Sequence, residues 1–405
     1  MSVTRRRPPL THTTLFQLRQ PAFWLYVLIL LVTGLYTVGE QSLFRRISPA
    51  GWALSWVLLA FYALPVFLVV YFLDLYEREP MSLLIAALLW GAVAATTLAG
   101  LANDGWAAVV ARLGGPAFAA KWTGALTAPF VEETLKGLGV VMIYLIARDE
   151  IDDMMDGFVY GAMVGLGFAV VEDVFYFMGV FGGKPADVLK GYFVRVVASG
   201  LYSHVLYTGL VGLGIGYAVS RREGASPGRR RAVLAGLAAC AVLGHFLWNS
   251  PFLDFFPTYP WTGTDWLIIP LATAVKGLPL LGFVAVAVWL ARRRELRWLE
   301  GALAAEVGGI GISSAELEIL EHPKRRRAAR REMAARAGPG AAALLKRFQR
   351  EQVNLAMLRT KLAAPDDPAI VQQRDYCKSL RDALEAIPGA APAEAHALGP
   401  GRDEV

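Results

Sequence analysis

Eight polar side chains stand inside runs that are otherwise apolar, and their types are those that move protons or bind metal ions. Glu132, Glu133 and Lys136 lie in "APFVEETLKGLGVVMIYLIA". Glu172 and Asp173 lie in "GLGFAVVEDVFYF", His204 in "GLYSHVLYTGLVGLG", and His245 with Asn249 in "AVLGHFLWNSPF". The whole chain has only 5 histidines, and two of them are in these runs. Peptide hydrolysis needs an activated water, a general base and a group that stabilises the oxyanion. Two carboxylates with two imidazoles can supply this as a metal site, because Zn2+ takes His nitrogen and carboxylate oxygen and leaves one position open. Glu133, Glu172, His204 and His245 are the candidate ligands. The same residues also suit a metal-free route, with a glutamate as base and His or Asn as oxyanion donor. Asn249, four residues after His245 and on its helix face, is the best amide for that role. Neighbouring helical residues point about 100° apart, so Glu132 and Glu133 are expected to aim at different points. Lys136 is spaced to pair with either.

The elements that must position these groups are membrane spans. The chain has 405 residues, 55% hydrophobic and 18% charged, against roughly 25% charged in soluble domains. Eight apolar stretches approach the roughly 20 residues needed to cross a hydrocarbon core: 21–38, 52–73, 81–101, 122–147, 157–181, 192–219, 232–249 and 266–291. An all-α polytopic bundle follows, and Gly and Ala in the third to eighth spans let its helices approach closely. The loop "SRREGASPGRRR" and the segment "ARRRELR" are basic, whereas "PFLDFFPTYPWTGTD" has no Lys or Arg. By the positive-inside rule both termini face the cytoplasm of a plasma-membrane protein. Trp52, Trp122, Tyr192, Trp261 and Trp266 then fall near outer interfaces. On this layout Glu132, Glu172, His204 and His245 lie between roughly 6 and 18 Å below the outer ends of their spans, at 1.5 Å per residue. Four helices thus contribute to one layer in the outer half of the bilayer.

The arginine blocks report orientation, so no nucleic-acid partner is expected. Cys240 and Cys377 are too few and too far apart for a disulfide framework or a cysteine-rich zinc site. The chain divides into a cytoplasmic segment 1–20, a membrane domain 21–291, and a basic helical tail 292–405 whose end, "IPGAAPAEAHALGPGRDEV", reads as disordered. The tail helices suit either an anionic lipid surface or a bundle. Blander readings exist for the buried charges: an ion pair of Lys136 with one glutamate, a pair of Glu172 or Asp173 with Lys276, and an Arg195 that snorkels from a helix end. Asp173 and Thr208 are read as supporting residues. The acidic loop "RDEIDDMMD" lacks the spacing of a calcium-binding EF-hand and reads as a solvated turn that starts the fifth span.

At these residues the chain resembles the PrsW-type intramembrane proteases, relatives of the C-a-a-X prenyl endopeptidase and bacteriocin-processing superfamily. The matching motifs are Glu132-Glu133-Thr134-Leu135-Lys136 for E-E-x-x-K, Phe168 to Glu172 for F-x-x-x-E, His204 in "SHVLYTG", and His245 to Asn249 in "HFLWN". The likeness covers roughly residues 60 to 290. Asp173 departs from the Asn found in many relatives, and the first span and the tail lie outside the shared core. The resemblance implies an intramembrane endopeptidase of metallo- or glutamic type. It implies a membrane-anchored protein substrate such as an anti-sigma factor, and Glu132, Glu133, Lys136, Glu172, His204, His245 and Asn249 as the site. The rival class is a proton- or ion-coupled transporter, since buried carboxylates and histidines also build proton relays. The inverted repeats that would favour it are absent from the sequence. A non-catalytic scaffold that recruits partners through the tail is a third reading.

Overall fold

A computed structural model describes residues 14–73, 79–220, 224–253, 265–308, 311–320, 322–362, 364 and 366–390. Among these residues every regular element is helical. The membrane helices are α1 Pro21–Ile47, α2 Pro49–Leu73, α3 Met81–Gly114, α4 Pro116–Leu126, α5 Ala128–Ile146, α6 Met154–Val180, α7 Pro185–Ala198, α8 His204–Val219, α9 Pro227–Asn249 and α10 Asp265–Ala304. Many begin on proline, which has no N–H to leave unpaired in a first turn and arrives with helical φ. The chain divides between Ala291 and Arg292 into two compact units.

Among the described residues six helices are long and apolar enough to cross a membrane, or seven if α7 and the segment Gly200–Val219, bent by 58° across a short break, form one span. The expected count of eight differs for physical reasons. The fourth expected span is not one helix: it breaks at Thr127 between α4 and α5. Pro129 has no N–H to give to the carbonyl of Ala125, which weakens the helix at the point where it breaks. α5 also carries Glu132, Glu133 and Lys136 within 19 residues, which removes it from the apolar class. The third span is longer than expected. It continues through a π-helical stretch, Trp90–Ala95, to Gly114, and Gly115 at φ 80° ends it.

The core of this unit is α3, α6 and α8. The spanning windows of α3 and α6 are 67% buried, whereas those of α1, α2, α9 and α10 are 11–17% buried and present apolar side chains outward. Glycine sets how closely α6 meets its neighbours. A Cβ at Gly157 would lie 2.2 Å from the Gly212 carbonyl oxygen, one at Gly161 2.3 Å from that of Thr208, and one at Gly165 2.3 Å from that of His204. Backbone contact at this range, the small-residue packing of membrane helices, holds the start of α8 directly against α6.

The acidic loop before α6 is not a solvated turn. Asp153 and Asp156 are buried and form a capping box. Asp153 accepts from the Met155 and Asp156 N–H groups, and Asp156 accepts from those of Asp152 and Asp153. Burial is tolerable because these carboxylates satisfy otherwise orphaned helix donors.

In the second unit, α11 Ser314–Leu320, α12 Pro323–Lys361 and α13 Pro368–Glu385 surround a core of Phe348, Leu355, Leu358, Ile370, Tyr376, Cys377, Leu380 and Leu384. α12 bends at Gly338, φ 86°. Glu306 binds Arg359 at 3.0 Å and Arg374 at 2.7 Å. Residues 391–405, most of the expected disordered end, and Trp261 lie outside the described residues.

Candidate active site

One face of α5 carries all three charges inward: Glu132, Glu133 and Lys136 are at most 3% exposed. Lys136 Nζ lies 2.5 Å from Glu133 Oε1, 3.5 Å from Glu132 Oε2 and 2.8 Å from His204 Nδ1, with the Phe168 ring 4.3 Å away. The expectation that the two glutamates diverge is therefore corrected. Their flexible stems undo the 100° offset, and both carboxylates turn to the same ammonium. A lysine ammonium only donates, so His204 Nδ1 accepts. His204 then carries its hydrogen on Nε2, which lies 3.0 Å from Glu172 Oε2.

The two glutamates are held differently. Glu133 Oε1 takes Lys136 and His245 Nδ1, the latter at 3.0 Å, while Oε2 accepts from Thr208 Oγ1 at 3.1 Å. Glu132 accepts from Asn103 Nδ2 at 3.3 Å, and its Oε2 stands 3.8 Å from His204 Nδ1 and 3.9 Å from His245 Nε2. Both glutamates accept at both oxygens, Glu133 over 2.5, 3.0 and 3.1 Å and Glu132 over 3.3 Å from Asn103 and 3.5 Å from Lys136. Glu132 is more loosely held. His245 stacks flat on Tyr207, with centroids 4.8 Å apart and 2° between planes.

Glu132, Glu133, His204 and His245 each offer a ligand atom, and these atoms lie within 4.8 Å of one another. Two imidazoles and two carboxylates are a donor set that Zn2+ accepts, so the residues fit a metal. Glu172 lies outside this group and reaches it through His204. Arg195 does not snorkel: it binds Glu172 Oε2 at 2.5 Å, donates to Asp173 Oδ1 and lies over the Tyr176 ring at 3.7 Å. Arg195 also takes the place expected for Lys276. Lys276 Nζ instead approaches the Trp248 carbonyl at 3.5 Å. Asn249 Nδ2 donates to the Gly124 carbonyl at 3.2 Å, tying α9 to α4. The structure thus brings six of the seven expected site residues into one hydrogen-bonded cluster and turns the seventh, Asn249, away from it.

Sequence reasoning missed Asn103 and Tyr207 and misread Arg195. Asn103 had a usable signal, since "LAND" interrupts the apolar run of α3. Tyr207 had none beyond its place one turn after His204.

Residues 79–276 match the PrsW family of intramembrane metalloproteases. This segment, just under half of the 405 residues, is similar to that family. The match likens this segment to intramembrane metalloproteases, and the apolar helices give it a multi-pass membrane fold. Two relatives support the likeness. "Protease PrsW" of Geobacillus kaustophilus (strain HTA426) is 28% identical over 238 residues, covering 57% of this chain and 85% of the relative. "Protease PrsW" of Bacillus subtilis (strain 168) is 30% identical over 109 residues, covering 27% of this chain and 47% of the relative. No solved structure matches the chain. All the site residues named above fall inside the PrsW segment.

Proposed function

We propose that this PrsW-like protein cleaves membrane-anchored proteins by glutamate-assisted hydrolysis, with Glu132 as general base. The observation that carries the reading is the unequal hold on the two glutamates. Glu133 is fixed by Lys136, His245 and Thr208, as a ligand or anchor must be. Glu132 is held by the longer bonds, 3.3 Å from Asn103 and 3.5 Å from Lys136, which leaves its carboxylate the easier of the two to protonate and release in a general-base role. Glu133, His204 and His245 would hold the metal, a two-histidine, one-carboxylate set with room for a fourth partner. Zn2+ bound there supplies Lewis acidity and lowers the pKa of water.

In the reaction, Glu132 takes a proton from water as the oxygen forms its bond to the scissile carbonyl carbon. Lys136 places its positive charge beside the developing oxyanion. Glu132 then returns the proton to the leaving nitrogen as the C–N bond breaks. Glu172 fixes the His204 tautomer so that Nδ1 faces the cluster, the role carboxylates play behind metal-binding histidines. The substrate class is a single-span membrane-anchored regulator of the anti-sigma-factor kind. The proposed orientation has both termini in the cytoplasm and the site in the outer half of the plasma membrane.

Purified protein tested on a fluorogenic membrane-anchored substrate panel checks this. Wild type should cleave, and Glu132→Gln should lose at least about 100-fold in kcat while remaining folded. A folded wild type that cleaves nothing but moves solute in vesicles would overturn the proposal in favour of transport.

A further inference from the structure

Hydrolysis consumes water, yet Glu132, Glu133, His204 and His245 are at most 8% exposed. Around them the bundle presents apolar side chains such as Leu101, 52% exposed, and Val109, 42% exposed. The sequence breaks this apolar surface on α3 at Asn103-Asp104. Asp104 is exposed and Asn103 is partly so. Asn103 Nδ2 donates to Glu132 Oε1 at 3.3 Å, while its Oδ1 is buried with no hydrogen-bond partner among the described residues. A buried carbonyl oxygen left unpaired is destabilising, so such an atom calls for an explanation.

We infer that Asn103 is the residue that receives the attacking water and holds it against Glu132. The inference rests on the glutamate-base reading and deepens it. Asn103 Oδ1 is an unpaired acceptor on the same amide that touches the Glu132 carboxylate through Nδ2. The species that satisfies both that oxygen and the carboxylate is one with two donor hydrogens and a nucleophilic lone pair, which is water. A peptide N–H has one donor and can satisfy only one of them. With one O–H on each acceptor, the oxygen lone pair is left for the carbonyl carbon. The hydrogen on the Glu132 side passes to Glu132 and then to the leaving nitrogen. The hydrogen on the Asn103 side stays with the new carboxyl group, so atoms and charge balance. Asn103 Nδ2 meanwhile orients Glu132. The exposed Asp104 next to it gives water a polar approach through an otherwise apolar wall.

Two measurements test this. In kinetics on a membrane-anchored fluorogenic substrate, Asn103→Leu should lower kcat about 50-fold or more. Its KM should stay within about 3-fold and its melting temperature close to wild type. Asn103→Ser, which restores an acceptor and space for water, should recover kcat to within about 10-fold of wild type. In a Cys240→Ala, Cys377→Ala background, Asn103→Cys and Asp104→Cys should react with a charged, membrane-impermeant methanethiosulfonate, whereas Leu101→Cys in bilayers should not. Wild-type kcat in Asn103→Leu, with Glu132→Gln inactive, would sink this inference alone. Full activity in Glu132→Gln would sink the glutamate-base reading, and this inference with it. If Asn103→Leu fails to fold, the labelling decides: absence of modification at both 103 and 104 refutes the water route.

Discussion

Replacing Lys136 by Met tests the centre of the site. The ammonium is fully buried and lies 2.5 Å from Glu133 and 3.5 Å from Glu132. At an effective dielectric constant of about 20, Coulomb's law gives roughly 7 kcal/mol of attraction for the first distance and roughly 5 kcal/mol for the second. Most of that is offset by the cost of desolvating the ions. What the mutation exposes is the cost of leaving a buried carboxylate uncompensated, about 3–5 kcal/mol. Methionine keeps the stem's volume, so cavity formation adds little. With roughly 2–4 °C of melting temperature per kcal/mol at about 150–250 residues and less in a larger chain, Lys136→Met should melt several degrees lower in thermal unfolding of the detergent-solubilised protein. The sharper test is coupling. Glu133→Gln removes the charge that Lys136 balances, so the double variant should be less destabilised than the sum of the singles by about 1–3 kcal/mol. A Lys136→Met variant within about 1 kcal/mol of wild type, or strict additivity with Glu133→Gln, would refute the ion cluster as described.

Further outcomes follow from the structure. Thr208→Val deletes the donor to Glu133 Oε2 and should cost about 1–3 kcal/mol by thermal unfolding, because a buried carboxylate oxygen is left unpaired. Gly165→Ala would place a Cβ 2.3 Å from the His204 carbonyl oxygen, so it should lower kcat at least about 10-fold by displacing the histidine; unchanged kinetics would contradict that contact. His204→Ala and His245→Ala should each lose tightly bound metal by elemental analysis. Glu172→Gln should keep the stoichiometry and weaken affinity about 10–100-fold in chelator competition. Burial pushes the Cys377 thiol up to about 12, so iodoacetamide at neutral pH should label it only after denaturation. Between its ordinary value of 9.0 and about 12 the folded thiol stays protonated while the unfolded one ionises. Stability from this group is therefore present below 9 and falls as pH rises towards 12.

The sequence by itself determined the fold class and most of the chemistry. Hydrophobic runs longer than a core helix needs can be satisfied only by a helical membrane bundle. Within such runs, ionisable residues are expensive enough that Glu132, Glu133, Lys136, Glu172, His204 and His245 declared themselves. Tertiary structure alone decided how they are shared out. The two glutamates converge because side-chain torsions, which sequence spacing does not encode, outweigh the helical offset. Glu172 binds Arg195 and His204 instead of joining the four-residue cluster because the bent span from α7 to α8 brings a guanidinium to it. Asn249 turns to the Gly124 carbonyl because the break at Thr127 leaves α4 beside α9. Asn103 interrupts its apolar run in the sequence, but its role was hidden for a similar reason. An amide in an apolar helix acquires meaning only when a distant helix places Glu132 3.3 Å away.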